Sequence, residues 1–132
     1  MFTVDRVLFE EMAQHGLGEF PNEACGLLAG RDGVPERFFA MRNLDASPVS
    51  YRLDPKEQLR VFDELDESGD DLIGIFHTHT HSEAYPSDTD VKLAFYPEAF
   101  YLVMSLSDRD APELRAFRIA DGAISEEELR VT

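Results

Sequence analysis

Apolar residues follow two rhythms along the chain, a spacing of three and four residues and short unbroken runs. Val4, Val7, Leu8 and Met12 follow the first rhythm up to Gly16, which predicts an amphipathic helix stopped by that glycine. Ala24 to Gly30 is a short apolar run, and Arg37 to Met41 follows after a turn at Asp32-Gly33, predicting a strand pair. Asp54-Pro55 supplies an N-cap and a first-turn proline ahead of Leu59, Phe62 and Leu65, so a second helix should end near Gly69. Leu72 to Phe76 is apolar at nearly every position, as in a strand covered on both faces, and it runs directly into His77. A third helix is predicted from Thr89 to Tyr96, stopped by Pro97, and a buried strand from Phe100 to Leu106. Two closing strands, Leu114 to Ile119 and Ile124 to Val131, flank a turn at Asp121-Gly122. Strands and helices interleave, so the expected class is α/β or α+β, with one central mixed sheet flanked by helices.

The 132 residues carry no repeat, low-complexity tract or long linker, and a single domain over 1–132 is expected. Cys25 is the lone cysteine, which excludes an internal disulfide or a multi-cysteine zinc knuckle. No basic region precedes a long apolar run, so a soluble cytoplasmic protein is expected. The 12 basic residues stand against 27 acidic ones, a net charge of −15 that repels phosphate backbones and anionic lipid. Neither nucleic acid nor a membrane is an expected partner.

Three of the four histidines, His77, His79 and His81, fall within five residues. Residues two apart in an extended segment point to one side about 6.5 to 7 Å apart, so a His-x-His pair aims both imidazoles at one point, where a metal can hold both. The outer two would be about 13 Å apart. The buried run ends at Phe76, so His77 and His79 are the expected pair, with His81 at the rim. A catalytic zinc keeps three protein ligands and one water, and the candidate third ligands are Glu83, Asp88 and Asp90. Ser87 and Asp90 also read as a capping box at a helix entrance, and local pattern alone does not choose among the carboxylates. Cys25 lies inside an apolar run, where a cysteine behaves as a small hydrophobe rather than a nucleophile. His15 reads as a favourable charge near a helix C-terminus or a surface residue, not a ligand.

His77-Thr78-His79, seven intervening residues, Ser87, two more and Asp90 resemble the motif of the JAMM (MPN+) metalloproteases of the JAB/MPN family at all four positions. Glu23-Ala24-Cys25-Gly26 is similar to that family's upstream glutamate element, and the resemblance spans essentially the whole chain. Thr80 departs from the pattern, since many members carry proline there.

The resemblance implies an MPN/JAB-like fold with cytidine-deaminase-like architecture. It also implies one zinc per chain on His77, His79 and Asp90 with a water, Glu23 as general base, and Ser87 supporting the oxyanion. The implied activity is that of a zinc metallopeptidase or isopeptidase acting on the C-terminal tail of a ubiquitin-like or sulfur-carrier protein. The alternatives are a non-catalytic MPN scaffold and a zinc hydrolase of another amide. The released group, whether cysteine, another amine or a lysine side chain, is left open.

Overall fold

A computed structural model describes residues 1–132, in eight strands and three helices. Strand β1 (Phe2–Val4) leads into helix α1 (Arg6–Glu19) through Asp5, whose carboxylate accepts the Leu8 N–H at 2.8 Å and so satisfies one orphan donor of the first turn. The helix does not stop at Gly16. That residue is buried, and a Cβ built on it would meet Thr78 Cγ2 at 2.9 Å, so the glycine marks a close approach of helix to sheet.

The predicted strand pair is β2 (Cys25–Arg31) and β3 (Val34–Met41), antiparallel about Asp32 and Gly33, whose φ values of 55° and 76° suit a tight hairpin. Helix α2 (Pro55–Ser68) has the expected bounds. Asp54 caps it by accepting the Lys56 N–H at 2.9 Å, and Gly69 ends it at a φ of 78°. Strand β4 (Asp71–His79) follows and carries His77 and His79.

Helix α3 (Asp88–Lys92) is shorter than the pattern predicts. None of its residues is fully buried, only Val91 packs partly buried against the core, and Leu93 and Phe95 beyond it are exposed. Strand β5 (Phe100–Ser105) comes next, then β6 (Glu113–Ala120), which forms a hairpin with β7 (Ala123–Glu127) about Asp121 and Gly122. The single closing strand expected to run to Val131 is instead two. The second, β8 (Leu129–Val131), leaves the main sheet and pairs in parallel with β1, tying the two ends of the chain together.

The main sheet has the order β3-β2-β4-β5-β6-β7, with only β4 and β5 parallel. It is the mixed central sheet of an α+β fold. Phe76, Leu28, Leu102 and Met104 pack with Met12 of α1 on one face. Ile75, Leu27 and Tyr101 pack with Val61 and Leu65 of α2 on the other. Each fully buried side chain of this size contributes about 1.5–3 kcal/mol, and burial on both faces explains the near-continuous apolar run of β4. No helix is long and apolar enough to cross a membrane.

Candidate active site

The two-residue period of β4 puts His77 and His79 on one side of the strand end, both buried, with their Nε2 atoms 3.2 Å apart. The capping box of α3 brings the third group. Ser87 Oγ accepts the Asp90 N–H at 3.1 Å, and Asp90 Oδ2 accepts the Ser87 N–H at 2.9 Å. The same Oδ2 lies 3.0 Å from Nε2 of both histidines. These three side chains form the one group of donors in the chain able to hold a metal ion. The other candidates fall away. Asp88 is exposed at the start of α3, and Glu83 contributes only its backbone carbonyl.

That carbonyl accepts the His79 Nδ1–H at 2.8 Å, which leaves the lone pair on Nε2 directed at the cluster. Two lone-pair donors and a carboxylate oxygen thus converge in a buried space, an arrangement that a cation reconciles. Burial opposes ionisation of Asp90, but the close imidazoles of His77 and His79 and the hydrogen bond from the Ser87 N–H outweigh it and hold the carboxyl well below the usual carboxylate range. Burial lowers the pKa of His77. It also pulls down His79, where the Asp90 and Glu83 contacts prevail and raise the value.

Glu23 immediately precedes β2, in which Cys25 stands opposite His77, so the same antiparallel register brings Glu23 level with His79. The Thr78 N–H donates to the Ala24 carbonyl at 3.0 Å and its Oγ1 accepts the Ala24 N–H at 2.8 Å, locking that alignment. Glu23 is 4% exposed, and its Oε1 is buried with no hydrogen-bond partner in the protein. Burial, moderated by His79 and reinforced by Asp90, pushes its carboxyl up to about 8.

The model of the Prok-JAB family, described as prokaryotic homologs of the JAB domain, matches residues 5–120. The chain belongs to the Prok-JAB family. It is similar to the CysO-cysteine peptidase of Mycobacterium tuberculosis, 46% identical over 126 residues that cover 94% of this chain and 86% of that one. It is also similar to the desampylase of Haloferax volcanii, 37% identical over 95 residues, 70% of this chain and 68% of that protein. Its fold matches the crystal structure of a JAB1/MPN domain protein from Archaeoglobus fulgidus, with a TM-score of 0.64 at 18% identity over 99% of this chain and 98% of that one.

In this Prok-JAB chain several residues around the cluster escape sequence reasoning. Tyr51 stacks on His77 with ring centroids 4.4 Å apart, yet it lies in an irregular segment with no local signal. Thr80, at the position where the motif often has proline, donates through Oγ1 to the Pro48 carbonyl at 3.1 Å, which ties the loop after β3 to the end of β4. His81 is exposed and outside the cluster, its ring packing on Phe20 and its Nδ1 beside Thr80 Oγ1 at 3.0 Å. His15 is neither a helix-end charge nor a free surface residue. Its Nε2 sits 3.0 Å from the Cys25 carbonyl and 3.2 Å from that of Met41, bolting α1 to the β2–β3 pair. Burial pushes the Cys25 thiol up to about 12, consistent with an inert core residue.

Proposed function

We propose that residues 1–132 form one catalytic domain, a zinc-dependent peptidase that hydrolyses the peptide or isopeptide bond at the C-terminal tail of a ubiquitin-like or sulfur-carrier protein. The observation that carries this reading is the convergence of the His77, His79 and Asp90 donors in a chain with 46% identity to a CysO-cysteine peptidase. The three donor atoms lie 3.0 to 3.2 Å from one another, close enough to be shared by one small cation, and two imidazoles with a carboxylate are a donor set that suits zinc. A cytoplasmic location belongs to the same proposal, supported by a buried cysteine that needs no oxidising compartment. The charge of −15 supports a protein substrate over nucleic acid.

Zinc, when bound, supplies a Lewis acid that polarises the scissile carbonyl and lowers the pKa of a water from about 15.7 toward 7. His77, His79 and Asp90 would hold it. Glu23 takes the proton of the attacking water on a carboxylate oxygen and hands it to the leaving amine. A base works best with a pKa near the operating pH, and burial has already moved Glu23 up to about 8. Ser87 serves twice. Its Oγ accepts the Asp90 N–H through a lone pair, so the hydroxyl proton is free to donate to the carbonyl oxygen as negative charge develops there.

Metal analysis coupled to hydrolysis of a carrier with a C-terminal adduct tests this reading. About one zinc per chain is expected, with turnover lost after dialysis against a chelator. His81→Ala should keep both, because its ring packs on Phe20 rather than facing the donors. If His81→Ala empties the site while His77→Ala does not, the ligand set is wrong.

Ser87→Ala separates the two uses of that hydroxyl. Loss of the cap should cost about 1 kcal/mol of stability, read in thermal melting. Loss of the oxyanion donor should slow turnover on the order of a hundredfold with zinc retained. Turnover near that of the parent would leave Ser87 only as a cap.

A further inference from the structure

The two imidazoles of the cluster are held in different ways. His79 donates from Nδ1 to the Glu83 carbonyl, whereas Nδ1 of His77 is buried and has no hydrogen-bond partner in the protein. For the Nε2 lone pair of His77 to face the cluster, the ring proton must sit on that unpartnered Nδ1, so no hydrogen bond fixes the plane of the ring. What lies against it instead is Tyr51. The two rings are nearly parallel, 19° apart in plane with centroids 4.4 Å apart, and the His79 ring stands at 63° and 5.0 Å from the same imidazole. Turning His77 about its Cβ–Cγ bond would drive an edge of the imidazole into the Tyr51 face.

Tyr51 lies outside helix and strand, yet its segment is firmly pinned. The Asn43 side chain holds both of its neighbours, donating to the Ser50 carbonyl at 3.0 Å and accepting the Arg52 N–H at 3.1 Å. The same amide donates to the Glu23 carbonyl at 3.0 Å, while the Ser47 and Pro48 carbonyls accept the Glu23 N–H and the Thr80 hydroxyl. The segment is thus tied both to the entrance of β2 and to the end of β4. On the reading that His77, His79 and Asp90 hold zinc, we infer that Tyr51 is a positioning residue. Its stacked ring keeps the His77 imidazole facing the metal, in place of the hydrogen bond that a partner outside the ligand set ordinarily supplies. An imidazole that shares a cation's charge also gains from the electron-rich face beside it, and phenylalanine offers such a face much as tyrosine does. The stack, rather than the hydroxyl, is therefore the part that acts.

The test is the zinc affinity of the full chain, measured by competition with a chromophoric chelator, beside thermal melting of the metal-free protein. Tyr51→Leu keeps apolar bulk but removes the flat face, and should weaken zinc binding by about 10- to 100-fold, the usual effect of losing a ligand's outer partner. Tyr51→Phe should bind zinc close to the parent. A role in packing alone would lower the melting temperature of Tyr51→Leu and leave the affinity of the folded protein unchanged. In the NMR spectrum of the metal-free parent, the His77 ring protons should be displaced upfield by the Tyr51 ring current, and should move back in Tyr51→Leu. Parent-like affinity in Tyr51→Leu, or a loss in Tyr51→Phe as large as in Tyr51→Leu, overturns the inference. So do His77 ring protons at random-coil positions in the parent, a measurement that decides even if Tyr51→Leu folds poorly. A parent that binds zinc yet hydrolyses no carrier adduct overturns the peptidase reading alone and leaves the role of Tyr51 standing. A parent that binds no zinc overturns the metal site and that role together.

Discussion

Glu23→Gln is expected to bind zinc as well as the parent and to melt at nearly the same temperature, yet to hydrolyse a C-terminal adduct at least a hundredfold more slowly. General-base contributions are typically about 10² to 10⁴, and the substitution removes only the ability to accept a proton. The side chain is buried and its Oε1 has no partner, so no existing hydrogen bond of that oxygen is broken by the change. Burial already favours the neutral acid, which glutamine mimics in size and charge. The measurement is turnover beside zinc content and melting on one preparation. A scaffold protein would show no contrast, since neither form would act. Full zinc-dependent activity in Glu23→Gln would place the base elsewhere.

Asp90→Asn should have the larger effect of all, emptying the metal site and taking hydrolysis to background. Replacing an outer-shell partner of a metal ligand typically costs about 10- to 100-fold in affinity or activity, and a direct ligand should exceed that. The amide keeps the shape and still offers an oxygen to the Ser87 N–H, so the helix entrance is preserved while the carboxylate facing His77 and His79 is gone. Zinc measured after dialysis, set beside circular dichroism, separates loss of the ligand from loss of the fold. Stoichiometric zinc in Asp90→Asn would remove Asp90 from the ligand set.

Legibility in the sequence followed how local each cause is. The β2–β3 hairpin is set by two adjacent residues with positive φ, and α2 by Asp54, Pro55 and Gly69 within its own span. Both could be read directly. His77 and His79 were legible because the period of a strand is enough to aim them together. Choosing Asp90 over Glu83 and Asp88 was not a local matter and rested on the motif spacing. Gly16 misled because a glycine that permits close packing has the same letter as one that ends a helix, and only Thr78, 62 positions away, distinguishes them. The partnership of β1 with β8 joins opposite ends of the chain, and the stack of Tyr51 on His77 joins a loop to a strand, so neither leaves a periodic trace. The brace from Thr80 to Pro48 is invisible for the same reason.

A single oxygen atom, Asp90 Oδ2, receives the Ser87 N–H that begins α3 and also faces both imidazoles. A cation held by this oxygen would therefore be thermodynamically linked to helix formation, each strengthening the other by the same free energy. A five-residue helix is too short to hold itself in water, so it depends on its capping box and on Val91, which packs partly buried against the core. A cation bound at these donors would then restrain the segment from Ser87 to Leu93 against local unfolding.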